Sequence, residues 1–285
     1  MAAETLLICT ACGTQFPNTD RNALKTCFIC DDPRQYVPPS GQSFTTLAAL
    51  QTSHKNDFHT THSSPDNKAP ALISITTSPK FAIGQRAILI PTPAGNILWD
   101  CLTLLDDATI ARIRELGGLE GIVISHPHYC STHVAWAAVF DCPVYLAAED
   151  KAWLAQLSER QVFLDAVETM VLLSGPRLLI ADTLMTTPAG LSNWAINALN
   201  EPRSRPPGTN SFSFMWSIPN MIPLPADEIV RMWSILKNYD FTSTHGAFMG
   251  QDIEHRDVKA RVLESMQIQI RSMGYEGHPF LHTLW

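Results

Sequence analysis

Charge is scarce in this 285-residue chain: Asp, Glu, Lys and Arg together make up 16% of it, against about 25% in an average globular protein. The basic residues do not cluster. With a formal net charge of −7 and an isoelectric point near 5.8, the chain lacks the electrostatic footprint that neutralises nucleic-acid phosphates. A role at anionic membranes is equally disfavoured. Long apolar runs are missing too, none approaching the roughly 18 residues of a spanning helix. The opening "MAAETLLICTACG" has no basic region followed by an apolar core, so neither export nor a membrane span is expected. A disulfide framework is absent as well. Seven cysteines is an odd count, and four of them sit in two C-x2-C pairs, which suits thiolates on a metal in a reducing, cytoplasmic setting. No internal repeat is found.

What is present begins with those cysteines. Cys9, Cys12, Cys27 and Cys30 form C-x2-C-x14-C-x2-C, and each two-residue spacer lets both sulfurs reach one tetrahedral ion. Four thiolates close the coordination sphere, so a structural zinc is expected, stabilising a segment too small to bury a core alone. Gly13 suits the tight turn after the first pair. Residues 1–39 are thus expected to be zinc-ribbon-like, with "YVPPSG" marking a boundary. A linker is expected over 40–71, with a short helix at its beginning and a polar stretch from Ser53 to Pro70, and a larger domain over 72–285. His54, His59 and His62 fall in the linker and are expected to be exposed connector residues. The ribbon is also a candidate surface for a protein partner.

The rest alternates strand and helix signals. "ALISITT", "RAILIPT" and "NILWD" are strand-like, the last two joined as a hairpin through "PAG". "DDATIARIRELGG" has helical spacing, an acidic start and a glycine stop. Strands are expected at 119–125, 143–148, 177–183 and near 239–244, and helices at 132–140, 149–157, 226–238 and 257–273. The fold class is α/β.

Directly behind one of those strands lies "ISHPHYCSTHVAWA", Ile124 to Ala137, holding three of the chain's 10 histidines. His126 and His128 are two residues apart at a strand's carboxyl end, where α/β proteins place their chemistry, and their imidazoles can converge on one cation. His133 falls in the first turn of the following helix.

The order "NILWDCLTLLDD", "GIVISHPHYCSTH", "LLIADT", "STHGAF" resembles the metallo-β-lactamase-fold superfamily, and within it a branch with an HPHY-type motif and an N-terminal zinc ribbon. The likeness covers about residues 72–285. It implies an αββα sandwich and a metal-dependent hydrolase. The superfamily signature H-x-H-x-D-H places its first two histidines on His126 and His128, but its aspartate falls on Cys130 and its next histidine on Ser131. The later bridging aspartate corresponds to Asp182 and the last histidine to His245. Asp100 matches a strand-terminal acid that supports the metal ligands. A "GGH"-like loop expected between His128 and Asp182 is absent, and His133 is the one histidine in that interval.

The metal ligands implied are therefore His126, His128, Asp182 and His245. His133 or the Cys130 thiolate stands in for what is lost. A site with three protein ligands and an open position activates water. The resemblance thus implies hydrolysis of a small ester, thioester or lactone at zinc or another divalent metal, with Asp182 and His245 as the catalytic side chains. The competing expectation, motivated by the altered signature, is a catalytically impaired relative acting in binding or protein interaction.

Overall fold

The computed structural model describes residues 3–35, 37–39, 41–61, 70–165, 171–192, 194–197 and 199–285. It divides into two compact units, Met1–Met170 and Val171–Trp285, each described by itself.

The first unit opens with a two-stranded antiparallel ribbon, β1 (Leu7–Cys9) and β2 (Phe44–Thr46). Two cysteine knuckles hang between them. In the first, the Gly13 amide donates to the Cys9 carbonyl at 2.9 Å. The turn needs φ of +85° at Gly13, where a Cβ would meet the Thr103 hydroxyl at 2.2 Å, so glycine is required on both counts. In the second, the Gln42 amide clamps Cys27, accepting from its N–H at 2.7 Å and donating to its carbonyl at 2.9 Å. Leu7, Phe16, Leu24 and Ile29 form a small core around the sulfurs, against which Trp153 packs.

After α1 (Leu47–Gln51), whose Thr46 hydroxyl caps the Ala49 amide, come β3 (Lys55–Thr60), β4 (Ile73–Ser78), β5 (Arg86–Thr92) and β6 (Gly95–Trp99), an antiparallel meander. Then α2 (Asp107–Glu115) starts on an Asp106 side-chain cap. β7 (Gly121–Val123), α3 (His133–Phe140), β8 (Val144–Ala147) and β9 (Gln161–Leu164) complete a seven-stranded sheet ordered β3-β4-β5-β6-β7-β8-β9. The four strands β6 to β9 run parallel, so the carboxyl ends of β6, β7 and β8 share one edge.

In the second unit, β10 (Val171–Ser174), β11 (Arg177–Ile180), β15 (Ser243–His245) and β16 (Asp252–Glu254) form one sheet, and β12 (Leu184–Thr186), β13 (Phe212–Ser217) and β14 (Ile222–Pro223) another. Three helices, α4 (Pro188–Leu191), α5 (Ala226–Leu236) and α6 (Val258–Ser272), belong to the same unit. Phe212, Phe214, Trp233, Val262 and Met266 are among the buried side chains of its core. No described helix is long and apolar enough to cross a membrane.

The expected strands and helices fall largely where the pattern puts them, with three corrections, the first being that the strand expected near 239–244 is formed by Ser243–His245. Residues 40–71 are not a plain linker, since besides the expected short helix α1 they supply strands β2 and β3. Lys55–Thr60 forms the edge strand of the large sheet, half-exposed along its length, and so shows no apolar alternation. The helix expected over 149–157 is a 3-10 segment, Ala148–Trp153. His54 lies edge-on to Phe81 with ring centres 5.7 Å apart, and His59 is exposed beside Thr76. His62 lies outside the described residues, as does part of the interval where the GGH loop is expected (166–170).

Candidate metal and active site

The four cysteines meet. Cys9 and Cys30 sulfurs are 3.7 Å apart, as are those of Cys12 and Cys27, and all four lie within 4.8 Å of one another. Four sulfurs at the zinc–thiolate distance on a tetrahedron are about 3.8 Å apart, so the donor set fits one such ion. Among the described residues this is the one group of three or more His, Cys, Asp or Glu ligand atoms drawn so close. Proximity also splits the thiols: the Cys12 side chain holds Cys9 well below the usual range, and Cys27 pushes Cys12 above it.

The histidine loop starts where β7 ends. Asp100, the residue after β6, is fully buried with φ of +61°, a conformation that Asp tolerates better than most residues. Its carboxylate accepts the Ser125 amide at 2.8 Å, pinning the loop one residue before His126. A 3-10 turn, Pro127–Tyr129, then brings the two imidazoles to one side, with ring centres 5.1 Å apart. The His126 ring packs edge-on against Tyr129 at 4.4 Å. His128 is buried, and its Nε2 lies 3.3 Å from the Ile29 carbonyl. A carbonyl only accepts, so Nε2 carries the proton and Nδ1 carries the lone pair.

His133 departs from its expected role. Its Nδ1 lies 3.0 Å from the Cys130 carbonyl and its Nε2 2.7 Å from the Gln161 amide nitrogen, so both nitrogens are engaged and the ring braces the start of α3. Burial pushes its pKa down to about 4 from 6.5. The unfolded chain therefore binds a proton that the folded chain refuses between those values, so this contribution is complete above pH 6.5 and is lost as pH falls toward 4. It amounts to roughly 3 kcal/mol. The urea midpoint of the wild type is expected to fall more between pH 7 and pH 4.5 than that of His133→Gln; parallel falls would refute the assignment.

Cys130 is no better placed as a substitute ligand. It is buried, and desolvation pushes its thiol above the ordinary range. Ser131 occupies a left-handed conformation, φ +47°, with its hydroxyl donating to the Cys101 carbonyl at 3.3 Å. Asp150 is an acid at this edge that the motif order does not name. It follows β8 by three residues, at the edge that also delivers Asp100 and His126, and burial pushes its carboxyl up against the opposing pull of His126. Its signal was the acidic pair after a strand parallel to the histidine-bearing one.

In the second unit, β11 and β15 are parallel neighbours with Leu179 opposite His245. Asp182 lies three residues past Leu179, so both residues sit at the carboxyl end of the same strand pair. His245 is buried; its Nδ1 lies 3.2 Å from Asp252 and its Nε2 3.1 Å from the Ser243 hydroxyl. With the carboxylate accepting from Nδ1, Nε2 accepts from the Ser243 hydroxyl, so both nitrogens are engaged here as in His133.

The chain is 36% identical over 247 residues to the uncharacterised protein YmaE of Bacillus subtilis (strain 168), covering 85% of this chain and 88% of that one. It belongs to the YmaE family. No family model matches this YmaE relative. Solved structures similar to it include a B3 metallo-β-lactamase with an active-site glutamic acid (12% identity, 72% of this chain and 89% of that chain, TM-score 0.40). Others are a flavo di-iron protein variant from Thermotoga maritima (12%, 75% and 62%, 0.46) and MEM-A1, a subclass B3 metallo-β-lactamase from a soil metagenome library (14%, 72% and 94%, 0.37). These are metallo-β-lactamase-fold proteins, the fold class expected from the sequence of this YmaE-family chain. At TM-scores below 0.5 they assign none of its residues a role.

Proposed function

We propose that this YmaE-family protein is a metal-dependent hydrolase of a small ester, thioester or lactone, built on a divalent ion at the His126–His128 pair. One observation carries the reading. Two imidazoles binding one tetrahedral ion through nitrogens at about 2.0–2.1 Å have ring centres about 5 Å apart, and these rings stand at 5.1 Å with the His128 tautomer already set. The donor set, two neutral imidazoles, suits zinc but also accepts iron or manganese. Such an ion supplies Lewis acidity and lowers the pKa of its water toward 7.

The chain's own contributions are distinct. Asp100 holds the loop that presents His126, and the Ile29 carbonyl holds His128. Asp182 and His245, which the sequence resemblance names, belong to the second unit, where Asp252 orients the His245 ring, and the proposal rests on the His126–His128 pair without them. The four cysteines would hold a separate structural zinc.

Metal analysis tests the reading. About two ions per chain are expected, falling to about one in His126→Ala/His128→Ala with folding intact. An unchanged stoichiometry rejects it. The second reading, a binding protein with impaired catalysis, is favoured by the engaged nitrogens of His133 and the buried thiol of Cys130. Turnover of a simple aryl ester by the metal-loaded protein, lost in His126→Ala, would exclude it.

A further inference from the structure

We propose that the cysteine ribbon forms a wall of the histidine site, with the Ile29 carbonyl as the positioning group that dictates which nitrogen of His128 is offered to a metal. The inference rests on the metal reading of the His126–His128 pair and adds a dependence on a segment far away in sequence.

Ile29 lies between Cys27 and Cys30, inside the second knuckle, and is itself 1% exposed. Its carbonyl belongs to the peptide bond that joins it to Cys30, one of the four thiol-bearing residues. The contact with His128 Nε2 at 3.3 Å links that peptide bond to the imidazole, doing from the backbone what a carboxylate does in many metal sites. The two centres also share a boundary: a cavity of about 50 Å³ is lined by Cys12 and Cys30 from the ribbon and by His128 from the loop.

The ribbon is held by one further bond to the histidine loop and by contacts with the segments after β6 and β8. The Gln15 amide donates to the Ser131 carbonyl at 3.1 Å, and the Thr103 hydroxyl donates to the Gly13 carbonyl at 3.0 Å. Gln156 donates to the Gln15 carbonyl at 3.0 Å, and the Arg34 guanidinium lies 5.0 Å from the Trp153 ring centre. Ser131 stands where the superfamily signature carries a histidine, so a position that elsewhere binds metal here receives the ribbon. Order at the histidine pair thus depends on a ribbon that is both folded and seated.

The test uses the full chain with its cysteines loaded with zinc. Nitrogen NMR of the histidines is expected to find His128 as the Nε2–H tautomer. The variant Arg34→Ala/Gln156→Ala removes two ties between ribbon and sheet without touching a cysteine. It should keep its cysteine-bound ion, show His128 exchanging between tautomers, and bind cobalt at the histidine pair about 10–100-fold more weakly. An Nδ1–H tautomer in the wild type overturns the proposal. So does a variant whose His128 spectrum and cobalt affinity match the wild type. Because the tautomer is read without a second ion, its predicted shift in a protein that takes up only one ion would uphold the positioning while removing the hydrolase reading.

Discussion

Stripping the ion from Cys9, Cys12, Cys27 and Cys30 is expected to unfold the segment from Leu7 to Thr46 while the seven-stranded sheet survives. The ribbon has two three-residue strands and a core of a few apolar side chains around the sulfurs. A lone two-stranded pair is marginal in water. Structural zinc in small domains contributes about 10–16 kcal/mol at neutral pH, comparable with the whole stability of an ordinary domain, about 5–15 kcal/mol. Nothing else in the segment replaces that. Hydrogen exchange after treatment with a strong chelator should show the amides of Ile8, Gly13 and Asp31 losing protection, while those of Leu89, Leu98 and Ile122 retain theirs. Protection of Ile8 and Gly13 that persists once metal loss has been measured would show that the ribbon stands on its packing alone.

Asp100→Ala should damage both stability and metal binding. The carboxylate is fully buried at the end of β6 and accepts the Ser125 amide. Removing it leaves a buried N–H without its acceptor, at a cost of about 1–3 kcal/mol, and puts alanine at φ of +61°, which costs about 1–2 kcal/mol more. For a chain of this size the combined loss lowers Tm by roughly 5–15 °C. The loop that begins at Ser125 then loses its anchor one residue before His126, so affinity at the histidine pair should drop about 10–100-fold. Asp100→Asn keeps an accepting oxygen and tolerates the left-handed backbone, so it should recover most of the stability. Equal melting temperatures for Asp100→Ala and wild type would remove Asp100 from the support of the site.

The parts legible in the sequence are those whose chemistry is local. The cysteine spacing encodes a cluster because each knuckle folds on itself. The segment after β7 stands out because two histidines flank one proline in a 3-10 turn. His133 illustrates the opposite case. Its residue type matches a ligand, but its partners are Cys130 three residues back and Gln161 on a separate strand, and no local pattern announces that pairing. The edge strand β3 was hidden because a half-exposed strand carries polar residues on both faces. The motif order does not name Asp150, because its significance comes from β8 lying beside β7, a relation of topology. The seating of the ribbon on Ser131 and His128 joins residues about a hundred positions apart, beyond the reach of any spacing rule.

That seating is partly polar. The floor beneath the ribbon offers the Thr103 hydroxyl, the Gln156 amide and the Ser131 carbonyl beside the Trp153 and Ala155 side chains that pack on its core. A shortened chain starting at Ser43 would hand the polar groups to water, which can satisfy them. What it would forfeit is rigidity, because solvent does not dictate the direction in which an imidazole points.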